Sequence, residues 1–170
     1  MARISNKRTT ILIADNIRST HNVGSLFRTA EGLGVSSLIL TGYTPYPKEP
    51  GDKRLEHLAL KLDKQINKTA LGAQNSLEWQ HASDINAEIT MLKKLGFRIY
   101  ALEQHPKSQD LTSVKPADKA ALVVGNELTG IEADVLKLCD DIIEIPMFGK
   151  KESFNVVQAA AMALFYFRFY

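Results

Sequence analysis

The chain has 170 residues, of which 45% are apolar and 24% are charged, a composition that suits one soluble domain with its own core. A single cysteine, Cys139, excludes an internal disulfide and a Cys-x-x-Cys metal site, and favours a reducing, cytoplasmic compartment. The net charge is only +2, but residues 1–70 carry 11 Lys and Arg against 6 Asp and Glu, which predicts a basic face compatible with a polyanion.

The first elements alternate between strand and helix. The β-rich run 9–15, TTILIAD, predicts a first strand. The segment 22–33 has helical apolar spacing, with Asn22 as its N-cap and Gly34 as its stop signal. Residues 36–42, SSLILTG, predict a second, buried strand.

The middle of the chain begins with a long loop. Residues 43–54 contain three prolines and a glycine, and loops of this length in compact domains are often functional. A polar helical stretch follows up to about residue 67, and residues 76–82 predict a short strand. The periodicity then predicts a helix over 85–96 and a strand over 97–103.

The last third repeats this alternation. The apolar run 119–125 is typical of a parallel strand covered on both faces. Residues 131–140 predict a short helix and residues 141–147 a last strand. A strongly apolar helix begins near Ser153.

This pattern predicts an α/β fold with a mostly parallel sheet and helices on both faces, formed by one domain over residues 1–170. In open α/β sheets, ligands gather at the carboxyl ends of the strands. The segments expected at those ends are 15–22, 103–106, 125–130 and 146–153.

Several common signatures are missing from the sequence. It contains no G-x-G-x-x-G fingerprint, no phosphate-binding P-loop, no G-x-S-x-G elbow and no H-E-x-x-H, which excludes the usual Rossmann dehydrogenases, kinases, hydrolases and zincins. No signal-peptide pattern is visible at the N-terminus. The longest apolar stretch, 156–167, is shorter than the ~20 residues of a membrane-spanning helix.

Three polar patches lie at or near the predicted strand ends, and each has an ordinary structural interpretation. In NVGSLFR, Asn22 would cap a helix and Arg28 would lie on its wet face. In VVGNELTGI, Gly125, Glu127 and Gly130 would form a turn.

The third patch is IPMFGKKESFN, at the start of the last helix. Pro146 cannot extend a strand ladder, which leaves main-chain groups unpaired there. Ser153 suits a helix N-cap. Asn155 stands where the apolar periodicity would bury it, and a buried carboxamide needs hydrogen-bond partners.

Together and in this order, the patches resemble the three motifs of the SPOUT superfamily, in its SpoU/TrmH branch of RNA ribose 2′-O-methyltransferases. The matches are N-x-G-x-x-x-R at 22–28, G-x-E-x-x-G at 125–130, and I-P-M followed by S-x-N-V within 145–156. Two residues depart from the pattern: Phe154 stands where the family usually has Leu, and Val157 where a second serine is common. Both departures bear on the shape of the pocket near the cofactor.

The resemblance implies a deep trefoil knot near the C-terminus and S-adenosyl-L-methionine as the cofactor, with no metal. Main-chain groups at the strand ends would read the adenine edge, and apolar side chains would cover its faces. The cofactor-binding residues that it implies are Leu102, Gly125, Asn126, Ile145, Met147 and Phe154.

The implied reaction is attack of a ribose 2′-hydroxyl on the sulfonium methyl group. The implied catalytic residues are Arg28, Asn22, Glu127, Ser153 and Asn155. Because a guanidinium seldom gives up its proton, Arg28 would stabilise the developing alkoxide while a substrate phosphate or a water accepts the proton. Asn22 and Asn155 would orient Arg28 and the ribose. Ser153 would join that hydrogen-bond network or cap the helix, and Glu127 would fix the arginine or the substrate.

The partners implied are RNA, with tRNA slightly ahead of rRNA, and a second copy of the chain. The last helix is apolar around much of its circumference, so it needs burial, and the family solution is a homodimer packed through this helix. The alternative is a terminal helix that lies only on its own sheet. Two other functions stay open: an inactive RNA-binding SPOUT protein, and an unknotted, flavodoxin-like nucleotide-binding protein.

Overall fold

In the computed structural model, which describes residues 8–170, seven parallel strands form one sheet with helices on both faces. This confirms the predicted fold class; the basic segment 1–7 lies outside the described residues. The strands are β1 (Thr9–Asp15), β2 (Ser37–Thr41), β3 (Trp79–Ala82), β4 (Arg98–Leu102), β5 (Gln109–Asp110), β6 (Lys119–Val124) and β7 (Asp141–Glu144). The α-helices are α1 (Thr20–Gly32), α2 (Glu56–Ala70), α3 (Ile85–Lys94), α4 (Ala133–Leu138) and α5 (Val156–Phe169).

The order of the strands across the sheet is β3-β2-β1-β6-β4-β7-β5. The chain therefore winds from β1 to one edge through β2 and β3, whereas β4, β7 and β5 lie on the other side. Strand β6 occupies the point where this winding changes direction, between β1 and β4. Ligands of open α/β sheets bind at such a switch point, beyond the carboxyl ends of the strands.

Alternating side chains of the strands build a core on each face of the sheet. Leu12 and Leu122 point to the face that α1, α2 and α5 cover. Ile13 and Val123 point to the face that α3 and α4 cover. Burial on both faces explains why the central strands are nearly continuous apolar runs.

The two predicted helix caps at the polar patches are wrong. Ser19, not Asn22, caps α1: its hydroxyl accepts a hydrogen bond from the Asn22 N–H (3.3 Å). Asn155, not Ser153, caps α5, since its side-chain oxygen accepts from the Val157 N–H (2.9 Å). Serine and asparagine are about equally good N-caps, so composition alone could not choose between neighbouring candidates.

The expectation that Asn155 is buried is also wrong, because α5 begins one residue after it and leaves its side chain exposed. The last predicted strand, β7, ends at Glu144, three residues earlier than expected. Its extension stops before Pro146, which has no N–H to continue a ladder. The edge strand β5 was not predicted, because two residues are too few to show a period.

The predicted loop over 43–54 contains no helix or strand, and its own side chains fix its shape. The Arg54 guanidinium donates to the main-chain oxygens of Tyr46 and Pro47 (3.0 Å each) and pairs with Asp52. The same guanidinium lies 3.5 Å from the centre of the Tyr46 ring, which stacks on His81 at 4.1 Å. The hydrogen bond from Arg54 lowers the pKa of the Asp52 carboxyl to about 2.

Helix α5 has two apolar faces. One face packs on the sheet through Ala160, Leu164 and Phe167, with Phe167 edge-on to Tyr100 at 5.0 Å. The other carries exposed apolar residues that include Phe165, 50% exposed. Among the helices of residues 8–170, none has the length and apolarity required to cross a bilayer.

Gly24, the glycine of NVGSLFR, is required by helix packing. A Cβ at this position would lie 2.2 Å from the main-chain oxygen of Ile66 and 2.9 Å from the nitrogen of Ala70, both on α2. The Thr69 hydroxyl, one residue earlier, donates to the His21 main-chain oxygen (2.8 Å) and joins the same two helices. The helices approach this closely because position 24 lacks a side chain.

We therefore predict that Gly24→Ala lowers the free energy of unfolding by about 1–3 kcal/mol, since overpacking forces the two backbones apart. Gly32→Ala is the matched control on the same helix, because nothing lies within 4 Å of its added Cβ. The control should leave stability unchanged or raise it by up to about 1 kcal/mol, as alanine favours helix. Urea unfolding measures both variants, and equal stability of the two would contradict the packing argument.

Candidate active site

A cavity of about 370 Å³ opens at the carboxyl ends of β4, β6 and β7, next to the switch point of the sheet. Its volume falls within the range of small-molecule sites. It is lined by Leu102, Glu103, Gln104, Val124, Gly125, Asn126, Glu127, Leu128, Gly130, Glu144, Ile145, Ser153, Phe154, Asn155, Val156 and Ala159.

The turn after β6 forms one wall of the cavity and depends on two glycines. The N–H of Asn126 donates to the Gly130 oxygen (3.1 Å), and the N–H of Gly130 donates back to the Asn126 oxygen (3.0 Å). A Cβ at Gly125 would lie 2.6 Å from the Gly130 carbonyl. Gly130 has φ +68°, and a Cβ there would meet the Glu103 carboxylate at 2.2 Å. Any other residue at either position would open the turn.

The Asn126 side chain, predicted to bind the cofactor, is occupied by the protein itself. Its amide nitrogen donates to the Asn16 main-chain oxygen (2.9 Å) and to the Tyr43 hydroxyl (2.6 Å). Its oxygen accepts from the N–H groups of Leu128 (2.8 Å) and Thr129 (3.0 Å). These four bonds use the whole hydrogen-bonding capacity of a carboxamide, and the main-chain N–H and C=O of Asn126 are paired with Gly130, so Asn126 shapes the cavity wall rather than offering a free polar group.

Glu127 joins this turn to the start of α1. One carboxylate oxygen accepts from the Arg18 N–H (2.9 Å), and the other accepts from the Ser19 N–H (3.1 Å) and the Asn22 amide (2.8 Å). Burial opposes ionisation of the carboxyl, but these hydrogen bonds outweigh it and hold the pKa of Glu127 below its ordinary value. The group is therefore an ionised acceptor rather than a base that takes up protons near neutral pH.

Asn22 and Asn155 extend the contact to the third patch. The Asn155 amide donates to the side-chain oxygen of Asn22 at 3.4 Å, and Asn22 in turn donates to Glu127. Side chains separated by 105 and 133 positions along the chain thus form one hydrogen-bonded row beside the cavity. The structure brings together one residue from each of the three polar patches.

The cavity also presents main-chain groups that the fold leaves unpaired. Within residues 8–170, the main-chain N–H and C=O groups of Ile145 and Phe154, which line the cavity, make no hydrogen bond, and the same holds for Met147, which lies outside the lining. Main-chain groups in folded proteins are nearly always paired with protein or water. Unpaired groups in two adjacent segments suit a ligand with a hydrogen-bonding edge.

The charge of the cavity has one sign. Its lining includes the carboxylates of Glu103, Glu127 and Glu144, and among residues 8–170 it contains no Lys, Arg or His. Such a wall attracts a cationic ligand and repels a phosphate. No group of three or more His, Cys, Asp or Glu side chains in this part of the chain is placed to hold a metal ion.

The predicted site residues divide into three groups. Those that line the cavity are Leu102, Gly125, Asn126, Glu127, Ile145, Ser153, Phe154 and Asn155. Asn22 touches this set through its hydrogen bonds, whereas Met147 is outside the lining. Arg28 is exposed on α1, and within residues 8–170 its side chain makes no hydrogen bond or ion pair. In the single chain, Asn22, Asn155 and Glu127 therefore do not orient Arg28.

Sequence reasoning missed the residues that support the site. The Glu103 carboxylate accepts from the Ile131 N–H (2.9 Å) and holds the start of the next segment. The Gln104 amide donates to the Glu152 oxygen (2.9 Å) and ties the β4 end to the loop before α5. Both residues lie in the segment 103–106, which was expected at the end of a strand, and that position was the available signal. Ser153 lines the cavity, but its hydroxyl makes no hydrogen bond in the described chain.

The lone cysteine does not contribute to this chemistry. Burial raises the pKa of the Cys139 thiol to about 12, and its thiol donates to the Val135 oxygen (3.3 Å) on α4. A thiol that stays protonated at neutral pH is a poor nucleophile.

Comparisons with known proteins agree with one another on the family that this chain matches. A family model described as the SpoU rRNA Methylase family matches residues 9–165. The chain is 32% identical over 154 residues to the 23S rRNA (guanosine-2′-O-)-methyltransferase RlmB of Neisseria meningitidis, covering 91% of this chain and 56% of that protein. It is 29% identical over 158 residues to the tRNA (guanosine(18)-2′-O)-methyltransferase of Aquifex aeolicus, covering 91% and 66%.

The crystal structure of an AdoMet-bound rRNA methyltransferase from Sinorhizobium meliloti superimposes with a TM-score of 0.78 at 22% identity, covering 94% of this chain and 56% of that one. This likeness establishes the fold. The chain spans between half and two thirds of the length of the curated relatives described above.

We predict that Glu127→Gln lowers the free energy of unfolding at pH 7 by about 1–3 kcal/mol, since the amide nitrogen of glutamine cannot accept the N–H groups that the carboxylate accepts. The folded-state pKa of Glu127 lies below its ordinary value of 4.5. Its contribution is therefore complete above pH 4.5 and is lost as the pH falls through the folded-state pKa. The difference in the free energy of unfolding between the wild type and Glu127→Gln should therefore narrow in that acid range.

Urea unfolding at a series of pH values measures this gap. Glu31→Gln, on the exposed face of α1, is the matched control and should follow the wild type at every pH. A Glu127→Gln protein as stable as the wild type at pH 7, or a gap that stays constant on acidification, would contradict the role of the carboxylate.

Proposed function

The chain belongs to the SpoU rRNA methylase family, and we propose that it transfers a methyl group from S-adenosylmethionine to a ribose 2′-hydroxyl of tRNA or rRNA. The observation that carries this proposal is the row formed by Asn22, Glu127 and Asn155 beside an acidic cavity. These residues come from the three segments that resemble the family motifs. The curated relatives, named as 2′-O-methyltransferases of rRNA and tRNA, support the same reaction.

The cavity suits this cofactor in charge and in hydrogen bonding. S-adenosylmethionine is cationic at its sulfonium and amino groups, and the carboxylates of Glu103, Glu127 and Glu144 surround the space. The unpaired main-chain groups of Ile145 and Phe154 match an adenine edge. When bound, the cofactor supplies an electrophilic methyl group. The same acidic lining disfavours a nucleotide phosphate, which argues against the flavodoxin-like alternative.

The protein must then activate a ribose hydroxyl, which is a poor nucleophile while it keeps its proton. Glu127 is unsuited to take that proton, because three N–H donors occupy its oxygens and its pKa is lowered. We assign Glu127 the role of positioning Asn22. The side-chain amides of Asn22 and Asn155 then orient the ribose. Ser153, with a free hydroxyl at the cavity wall, adds a further donor.

Arg28 is the residue we assign to the developing alkoxide, with a substrate phosphate or water as the proton acceptor. Arg28 is exposed, and in residues 8–170 of one chain its guanidinium makes no hydrogen bond or ion pair with the other proposed catalytic groups. We therefore propose that it completes the site of a second copy of the chain.

A homodimer packed through α5 would place the second copy next to this site. Next to α5 lies an apolar groove of about 640 Å³, whose lining includes Leu111, Pro146, Met162 and Phe165. Phe148, on the rim of this groove, is 96% exposed. Adjacent exposed apolar side chains such as Phe148 and Phe165 favour an interaction site, and a C2 interface uses the same patch on both copies.

The remaining parts of the proposal follow the sequence prediction. One catalytic domain spans the chain, and a deep trefoil knot forms near the C-terminus. The RNA is tRNA or rRNA, with tRNA slightly ahead, and the compartment is the cytoplasm. An inactive RNA-binding protein is the competing function, and methyl transfer distinguishes the two.

We predict that the protein transfers labelled methyl groups from S-adenosylmethionine to total tRNA or rRNA from cells that lack it, and that nucleoside analysis identifies a 2′-O-methylribose. Arg28→Ala should lower turnover by a factor on the order of 10² or more, because a preorganised donor to the alkoxide is lost. Its affinity for the cofactor, measured by calorimetry, should stay within about twofold, since Arg28 lies outside the cavity.

Lys94→Ala is the matched control, because it removes a cation at the end of α3, on the face of the sheet opposite to α1. This variant should leave turnover unchanged. Cofactor binding without transfer to any RNA would favour the inactive RNA-binding alternative. Normal turnover by Arg28→Ala would refute the role given to the arginine.

We predict further that Phe165→Asp gives a monomer by light scattering and loses methyl transfer, because the charge is buried in the proposed interface. Arg28→Ala and Asn155→Ala chains, unfolded together and refolded at equal amounts, should recover about a quarter of wild-type turnover, since half the dimers then hold one complete site. No recovery would show that Arg28 serves its own chain.

A further inference from the structure

The outer edge of the turn after β6, which we call the rim of the cavity, holds an exposed aromatic ring through a bond to Asn126. Tyr43 follows β2, and its side chain is 62% exposed. Its N–H donates to the Asn16 side-chain oxygen (3.2 Å), and its hydroxyl accepts from the Asn126 amide (2.6 Å). Both ends of the residue are therefore held while the faces of the ring remain open to solvent.

An exposed cation lies on the neighbouring loop. The N–H of Arg18 donates to Glu127 (2.9 Å), so its main chain adjoins the proposed ribose site. The side chain is exposed, and within the described part of the chain the guanidinium has no hydrogen bond or ion pair. The cavity itself offers no basic group, which makes the rim the place where an anion could bind.

The two loops that carry these residues are joined to each other. Between Arg18 and Asn16 lies Ile17, which is fully buried, and its N–H donates to the Thr44 hydroxyl (3.0 Å) next to Tyr43. Asn16 has φ +54°, a conformation that asparagine tolerates better than most residues. Ring and guanidinium are thus carried by one linked scaffold rather than by two independently moving loops.

Tyr46, on the same loop, is a tyrosine with a structural role. Tyr46 is packed between the Arg54 guanidinium and the His81 ring. Tyr43, by contrast, has no aromatic or cationic partner among residues 8–170. Its ring is held in place and contacts no such group of the protein.

We propose that Tyr43 and Arg18 together hold the nucleotide that is modified, the ring stacking on its base or the adjoining base and the guanidinium pairing with the neighbouring phosphate. The inference rests on the proposed function, because a ribose beside Asn22 and Asn155 must direct its base and phosphates outward. Unpaired RNA bases commonly stack on tyrosine. A ring whose side chain is already ordered loses little entropy on stacking.

The test compares two substitutions at each position. Tyr43→Ala should raise KM for the RNA that accepts methyl groups on the order of tenfold, whereas Tyr43→Phe, which keeps the ring, should stay within about threefold. Arg18→Ala should raise the same KM and reduce the slope of log affinity against log salt by about 0.7, and Arg18→Lys should keep that slope. Leu95→Ala, which truncates an exposed apolar residue at the C-cap of α3, should match the wild type.

Two further measurements separate a substrate contact from a structural role. Cofactor affinity by calorimetry should be the same for Tyr43→Ala as for the wild type, and the urea midpoint should shift equally in Tyr43→Ala and Tyr43→Phe, since both lose the hydroxyl bond to Asn126. A Tyr43→Phe protein as impaired as Tyr43→Ala would overturn the proposal, since the hydroxyl bond to Asn126 would then be the cause. An unchanged KM in Tyr43→Ala would overturn it as well.

A binding assay makes the failure of this inference distinguishable from failure of the proposed function. The probe is a single-stranded pentaribonucleotide with 2-aminopurine at its centre, whose fluorescence falls when the base stacks. Quenching that depends on Tyr43, in a protein that methylates no RNA, would uphold the nucleotide contact and refute the enzymatic activity. Methyl transfer with quenching that ignores Tyr43 would do the reverse.

Discussion

The site depends on the carboxylate of Glu127. The main-chain N–H groups of Arg18 and Ser19, in the β1–α1 connection, and the side-chain amide of Asn22, in the first turn of α1, converge on its two oxygens. At the start of a helix, main-chain N–H groups lack partners within the helix and a negative charge is stabilised. The anion satisfies them from a different part of the chain and thereby fixes α1 against the turn after β6. The third segment is attached by the bond between Asn155 and Asn22.

In the proposed reaction, this arrangement would separate cofactor from substrate by charge. Carboxylates and unpaired main-chain groups line the cavity, and it has no basic side chain in the described chain. The cations lie outside, at Arg18 on the rim and Arg28 further along α1. A sulfonium and a phosphodiester therefore have different preferred places within one small site. Field strength falls with distance and with salt, so the rim would act on the proposed RNA substrate mainly at close range. The acidic interior would keep this polyanion out of the space proposed for the cofactor.

Much of the fold could be predicted from the sequence, because apolar runs and helical spacing report burial directly. The order in which β6 is inserted between β1 and β4 could not, since periodicity carries no information on which strands pair. At the site, the residue types were predicted better than the contacts that each residue makes. Asn126 was expected to contact a ligand, yet its side chain is consumed by four internal bonds. Gly24 belongs to a functional motif but is explained by helix packing. A motif records which residue is needed, and only the contacts show whether chemistry or space requires it.

Helix α5 connects the two proposals about assembly and catalysis. Its N-cap is Asn155, so the first turn of the helix sets where that amide points. Its inner face is fixed by Leu164 and Phe167 on the sheet, while its outer face, with Phe165, is open. A helix with half of its apolar surface in water frays at its ends more readily than one packed on both sides. Burying the outer face against a second copy would therefore restrain Asn155 at the same time as it brings a guanidinium into reach. Dimer formation and ordering of the catalytic row are then one event rather than two.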